Sequence, residues 1–436
     1  MSLSMTKPDT VPGLPDLWEI LPEESSANDR GELTIGGCSV VDLAKTYGTP
    51  LQVIDEAGLR RQMRRFVHGL KSRWANSEVL FASKSLPIVA MYAIAAAEGM
   101  GVDVAGAGEI HLAVAAGVDP KRIYLHGNAK SSEELALALE TGVGTIIIDN
   151  FDDIARLETL VRRPQDVLVR VIPEVDADTH AAIFTGGKES KFGIPIRQSA
   201  EAIERITSHE FLRFQGVHVH VGSQILDANP FRDAVGAAAA LGQFPVYNVG
   251  GGLGVKYTYD DRRLAVDDYL DAITTAARKW LPAEAKLIIE PGRAIVARAG
   301  ISLYEVTTIK ESAKTFVAIN GGLADLINVA LTGQRYEPVV ANRLTEPWTQ
   351  RAQIVGRQCE SGDLMVDDAL ISPPQLGDLI ALATTGAYSY TFSNNYNGAL
   401  KPAIVFVGEN KARLAVRRET YTDLMRCQWP AQATAW

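Results

Sequence analysis

From residue 79 to residue 290 the chain alternates between two hydrophobic periods. Short apolar runs bounded by turn residues fall at 79–83, 102–105, 123–126, 145–149, 167–172, 216–221, 246–249 and 287–290. Runs this short, many of them continuous, predict strands buried on both faces. Between most of them apolar positions recur with helical spacing, at 87–99, 108–116, 131–141, 153–162, 197–208 and 266–279. Pro87 and Ser131 stand where helices should begin. Eight strands alternating with helices over about two hundred residues predict a (β/α)8 TIM barrel. A doubly wound open sheet is the alternative, but no Gly-x-Gly-x-x-Gly follows the first strand.

Past Arg293 the helical period fades, and 302–309, 315–319 and 379–384 read as antiparallel strands. Ahead of the barrel, 32–53 reads as a strand plus a short helix. The expectation is an α/β chain with the barrel at 54–296. A C-terminal β-rich domain at 297–436 would also take in the N-terminal segment 30–53, leaving 1–29 as an N-terminal extension.

At 436 residues and 47% hydrophobic content, the chain is long enough for two buried cores. The formal charge is −9, from 43 basic and 52 acidic residues spread without long runs. This balance argues against nucleic acid and against a membrane surface as partners. No apolar stretch is long enough to span a bilayer, and 1–29 lacks the apolar segment of a secretory signal. Three cysteines, Cys38, Cys359 and Cys427, form neither a disulfide set nor a zinc pattern, so a cytoplasmic location without a structural metal is expected.

In such a barrel the chemistry sits at the C-terminal ends of the strands. Lys84 follows the first strand and Asp103 lies in the second. His126-Gly127-Asn128 follows the third and His220-Val221-Gly222-Ser223 the sixth. Gly250-Gly251-Gly252 follows the seventh, and Glu290-Pro291-Gly292-Arg293 the eighth. A lone lysine is usually a solvated charge, an isolated glycine pair a turn, and a lone histidine a satisfied core residue. Three consecutive glycines, followed one strand later by Gly292 and Arg293, change that balance. Their N–H groups and the guanidinium suit a phosphate, at the position where these barrels commonly bind one. A phosphate, a lysine and a carboxylate together fit pyridoxal 5'-phosphate. Lys84 would hold it covalently, Glu290 would keep its ring nitrogen protonated, and His220, with Ser223 close by in sequence, would pack on the ring.

These motifs, in this order, resemble the fold-type III, or group-IV, pyridoxal-phosphate decarboxylases, and within them the diaminopimelate decarboxylases. The resemblance spans roughly residues 30 to 405. It includes Gly48-Thr49-Pro50-Leu51, Ala82-Ser83-Lys84, His126-Gly127-Asn128-Ala129-Lys130 and Ser190-Lys191-Phe192-Gly193. It continues through His218-Val219-His220-Val221-Gly222-Ser223-Gln224, Cys359-Glu360-Ser361-Gly362-Asp363, Gly386-Ala387-Tyr388 and Asn395-Tyr396-Asn397. It implies a homodimer with active sites at the subunit interface, where Cys359 and Glu360 enter the partner's site. Cys359 or Lys84 would protonate the α-carbon after decarboxylation. Tyr388 would contact cofactor and substrate, and Arg293 would serve phosphate or a substrate carboxylate.

One segment departs from the family. Where diaminopimelate enzymes carry Ile/Leu-Arg-Pro-Ala-Leu-Tyr, with arginine and tyrosine gripping the distal end of the substrate, this chain has Ile327-Asn328-Val329-Ala330-Leu331-Thr332. Loss of a charge-assisted arginine pair should weaken a distal carboxylate by roughly 1.5–3 kcal/mol or more. Arg335 stands one turn from Leu331 as a candidate replacement. Smaller departures are Gly106-Ala107, Ile172, Glu174 and Gly398. The expectation is amino-acid decarboxylation with Asn328 and Thr332 in an altered distal pocket, taking diaminopimelate or a related or conjugated amino acid. Glu360 favours this over an ornithine or arginine decarboxylase, where aspartate usually follows the cysteine. An alanine-racemase-type enzyme would put arginine, not Glu290, at the ring nitrogen. A catalytically silent binding protein would not need Lys84, His220, Glu290 and Cys359 together.

Overall fold

The computed structural model describes residues 17–172 and 191–428. Pro173, Glu174 and Ser190 lie outside the described residues, as do the first sixteen residues of the expected extension. By internal contacts the chain divides into two compact units, one of Arg60–Val255 with Arg262–Ile295 and one of Met1–Leu59 with Lys256–Asp261 and Val296–Trp436.

The first unit is the barrel. Its strands are β1 (Ser77–Ala82), β2 (Gly101–Val104), β3 (Ile123–Leu125), β4 (Thr145–Ile148), β5 (Gln165–Ile172), β6 (Leu212–His218), β7 (Val246–Asn248) and β8 (Lys286–Ile289). Each pairs in parallel with the next, and β8 pairs back on β1, so the sheet closes. Closure abolishes the edges and buries both strand faces, which is why 146–148 and 287–289 are unbroken aliphatic runs. Leu80, Tyr124, Ile147, Leu168 and Ile288, on β1, β3, β4, β5 and β8, form one buried apolar cluster.

The helices start where local chemistry satisfies their first N–H groups. Ser131 and Glu134 form a reciprocal capping box at the helix Ser132–Thr141, and Asn150 caps Phe151–Leu160 through the Asp153 N–H. Among the described residues, two long helices escaped the sequence reading. Asn229–Ala240 ends in an alanine run that blurs its period, although Phe231, Ala234, Val235 and Ala238 are buried at helical spacing. Glu56–Arg73 precedes β1 and buries Leu59, Met63, Phe66 and Leu70, also at helical spacing. The division between the units falls inside this continuous helix rather than at residue 54.

The second unit is built on a sheet ordered Leu364–Ile371, Gln350–Val355, Thr315–Ile319, Gly300–Glu311, Leu51–Asp55, Ala403–Gly408 and Lys411–Val416. The N-terminal strand Leu51–Asp55 sits in mid-sheet, antiparallel to Gly300–Glu311 and parallel to Ala403–Gly408. A buried polar chain locks it there: Gln52 Nε2 donates to Ser302 Oγ at 2.8 Å, and Ser302 Oγ to Thr385 Oγ1 at 2.8 Å. Residues from Leu17 onward, expected as an extension, are part of this core. Leu17, Ile20 and Leu21 pack with Leu33, Ile35, Val339 and Leu344.

Candidate active site

Six barrel strands deliver polar groups to the C-terminal rim or its loops. Lys84 sits in the turn Ser83–Ser85 after β1, exposed between two buried serines. Ser83 Oγ donates to Glu109 Oε2 at 2.8 Å, which also accepts from the Ala105 N–H at 2.7 Å. The turn that presents the lysine is thus tied to the loop after β2.

Glu290, one residue past β8, is the centre of a buried cluster. His126 Nε2 lies 2.9 Å from its Oε1, His218 Nε2 is 3.3 Å from Oε2, and Asn248 donates its amide to Oε1 at 2.7 Å. The two imidazoles stand edge to face with centroids 5.0 Å apart. Burial would raise the Glu290 carboxyl, but the two histidines outweigh it and hold the group well below the ordinary carboxylate range. Burial takes His218 down to about 4 despite the carboxylate beside it. Asp103, on β2, is pushed up to about 7 by burial and then by the Glu290 charge, with His126 and Lys84 opposing. His126, His218 and Glu290 also place three donor atoms within 4.8 Å of one another, a geometry that suits a cation as well as a hydrogen-bonded carboxylate.

The glycine run after β7 packs against His220. The Gly251 N–H meets His220 Nδ1 at 3.3 Å, which makes Nδ1 an acceptor and leaves the imidazole proton on Nε2. Burial, and then the Lys84 and Arg170 charges, keep His220 far below its usual range and therefore neutral. Space explains the glycines. A Cβ at Gly251 would stand 2.1 Å from the Glu290 carbonyl oxygen, and one at Gly250, whose φ is +68°, 2.7 Å from both the Val219 carbonyl oxygen and His220 Nδ1. Gly292 is equally confined, 2.8 Å from Ala82 Cβ. Arg293 Nη2 donates to Ser223 Oγ at 3.1 Å.

Behind the rim, Lys130 and Asp153 form a fully buried ion pair at 2.6 Å. Asp149 accepts from the Gly193 N–H at 3.0 Å and lies 3.6 Å from Arg170, whose guanidinium covers the Phe192 ring at 4.5 Å.

The family model for "Pyridoxal-dependent decarboxylase, pyridoxal binding domain" matches residues 56–297. The chain is 40% identical to the diaminopimelate decarboxylase of Bacillus subtilis, over 93% of this chain and 97% of the relative. It belongs to the diaminopimelate decarboxylase family. Another family member, from Actinosynnema pretiosum, is also 40% identical, across 91% of this chain and 93% of the relative. Among solved structures, diaminopimelate decarboxylase from M. jannaschii superposes with a TM-score of 0.89 at 28% identity, covering 94% of this chain and 99% of that one. The Helicobacter pylori enzyme complexed with L-lysine gives 0.80 at 28%, over 89% and 98%. The family's cofactor, pyridoxal phosphate, and its decarboxylase chemistry follow from this membership.

Within this family the remaining expected site residues lie in the second unit. Cys359 and Glu360 are exposed on the loop between the strands Gln350–Val355 and Leu364–Ile371. Tyr388 takes a left-handed backbone, φ +63°, and stacks near Phe392 with centroids 6.2 Å apart. Asn328 is buried and donates its amide to the Tyr388 carbonyl at 3.3 Å, whereas Thr332 is exposed and donates to the Asn328 carbonyl at 2.9 Å. Arg335 is exposed, with its nearest carboxylate, Asp260, at 3.9 Å.

Sequence reasoning quoted His126 and His218 in motifs without assigning them to the site, and it passed over Asn248 and Arg170. The available signal was position alone, since His126 and Asn248 stand at the C-terminal end of a barrel strand as Lys84 and Glu290 do.

Proposed function

We propose that the protein decarboxylates an α-amino acid with pyridoxal phosphate, and that its substrate is diaminopimelate or an amino acid related to or conjugated with it. The observation that carries the reading is the Glu290 carboxylate, kept ionised in a buried site by His126, His218 and Asn248 beside a glycine-lined cradle. A protonated pyridine nitrogen needs such a partner, and a cradle with no room for a Cβ suits a phosphate, so the residues fit the cofactor.

In this reading Lys84 holds the cofactor, Glu290 faces its ring nitrogen, and neutral His220 packs on its ring. Gly250, Gly251, Gly252, Gly292, Ser223 and Arg293 take the phosphate. When bound, the cofactor supplies an electron sink for the carbanion left by loss of carbon dioxide. Cys359, or Lys84, returns a proton to the α-carbon, while Arg293, Glu360 and Tyr388 orient the substrate. The active assembly is a homodimer in which Cys359 and Glu360 serve the partner's site.

The distal pocket is the point of difference. Asn328 and Thr332 stand where arginine and tyrosine are expected, and each already spends a donor inside its own unit, on Tyr388 and on Asn328 respectively. Neither is cationic, which favours a distal group that is neutral or larger than a free carboxylate.

The test is to incubate cofactor-loaded protein with meso-diaminopimelate and follow carbon dioxide and lysine. Borohydride should abolish the cofactor absorbance and fix the label on Lys84. Lysine formation at the rate of a lysine-pathway enzyme would sink the altered pocket. Absence of lysine with an intact Lys84 label supports a conjugated substrate, and absence of any Lys84 label would sink the reading itself.

A further inference from the structure

The loop that carries Cys359 is held by two side chains that the proposed chemistry does not use. At its base, Asp363 Oδ2 accepts from the Gln358 N–H at 2.7 Å and Oδ1 from the Leu323 N–H at 2.8 Å. Room for that carboxylate comes from Gly322 and Gly356, where a Cβ would lie 2.5 Å and 2.2 Å from its oxygens. Other N–H groups are taken up within the loop or by the segment at Gly321. Gly356 donates to the Asp363 carbonyl, Arg357 to Gly321, and Glu360 to Gln358.

At the tip, Cys359 is held by a side chain from another turn. Its N–H donates at 2.7 Å to Oδ1 of Asn397, a residue 38 positions away in a separate turn. Asn397 reaches it from a left-handed backbone, φ +53°, a conformation that asparagine tolerates better than most residues. That turn is pinned in its own right, because Asn395 Nδ2 bonds both the Ala399 carbonyl at 2.9 Å and Glu419 Oε2 at 2.7 Å.

We infer that Asn397 is a positioning residue for Cys359, fixing where the thiol stands by holding the backbone at the loop's tip. Asp363 makes the loop, and Asn397 aims it. This rests on the proposed role of Cys359, and it adds a residue to which no role has been given.

The test compares holoenzyme with Asn397→Gly, which keeps the left-handed backbone but lacks the acceptor, and Asn397→Asp, which keeps both. The first readout needs no turnover: the rate at which iodoacetamide labels Cys359, with the exposed Cys427 as internal control. Release of the loop tip should change the Cys359 labelling rate in the glycine variant, by up to about fivefold for the loss of one such hydrogen bond, with Cys427 unchanged and the aspartate variant close to wild type. The second readout is meso-diaminopimelate decarboxylation, where kcat should fall in the glycine variant with KM held and recover in the aspartate variant. Equal Cys359 labelling in all three proteins would overturn the inference. If no variant, wild type included, turns over the substrate, the labelling arm still decides it, and the substrate assignment fails separately.

Discussion

Asn248 and Glu290 meet at 2.7 Å, amide to carboxylate, both out of water, although 42 residues separate them in sequence. The same asparagine accepts the Gly250 N–H at 3.0 Å through its side-chain oxygen. One side chain therefore fixes both the carboxylate and the first residue of the glycine run. Asn248→Ala should leave Glu290 short of a donor and free the loop. We expect a loss of about 1–3 kcal/mol in unfolding free energy and weaker retention of pyridoxal phosphate. Urea unfolding and the bound-cofactor absorbance would measure the two effects.

Glu290→Gln removes the charge while keeping the shape. If the carboxylate serves the ring nitrogen, kcat should fall on the order of 10²–10³-fold with the circular dichroism unchanged. A variant as active as wild type would rule that role out.

Asp103 gives a pH prediction with a definite sign. Its folded pKa of about 7 lies above the ordinary value for an aspartate, because burial penalises the charge. Between those two values the native state binds the proton more tightly than the unfolded state, so this group makes stability fall as pH rises. The penalty is complete above pH 7. Asp103→Asn should thus raise the melting temperature at pH 8 and change it little at pH 4. His218, held at about 4, acts oppositely across the acid range: it costs stability as pH drops from its ordinary value toward 4. A melting-temperature series over pH 4–8 on wild type and Asp103→Asn would separate the two.

The buried Lys130–Asp153 pair sits at 2.6 Å with both side chains essentially inaccessible. Lys130→Met leaves the buried Asp153 carboxylate with only the more distant Arg156, at 3.7 Å, and the Asp149 N–H, and should cost up to about 3–5 kcal/mol. The double replacement Lys130→Met with Asp153→Leu should recover much of that. If the single and double variants unfold alike, the pair is not the source of the loss.

Gly251→Ala puts a methyl group 2.1 Å from the Glu290 carbonyl oxygen. Overpacking of this kind costs about 1–3 kcal/mol and should release the cofactor. Dialysis followed by absorbance would show it, and full retention would remove the glycine run from the cradle.

The barrel could be read from sequence because a closed parallel sheet demands continuous aliphatic strands, and 146–148 and 287–289 supply them. The same periodicity argument failed for Asn229–Ala240, whose alanines carry too little hydrophobic contrast to mark a face. It also failed to attach residues 17–29 to the β-rich unit, since a short segment bears no local mark of which core it will enter. Lys84, Glu290 and the glycines were legible because their residue types are unusual at strand ends. Asn248 was not, since an asparagine after a strand is an ordinary turn residue.

The sequence by itself determined the order of the barrel strands, the placement of reactive groups at strand ends and the family to which the chain belongs. The first two follow from local period and local composition, and the family from the likeness of the whole chain to its members. Only the tertiary structure decided which groups meet. Closure of β8 on β1 brings His126, His218, Asn248 and Glu290 to one rim, and antiparallel pairing draws Leu51–Asp55 beside Gly300–Glu311. Hydrogen bonds of 2.7–3.3 Å between residues far apart in the chain depend on strand register and side-chain direction, which no local pattern encodes.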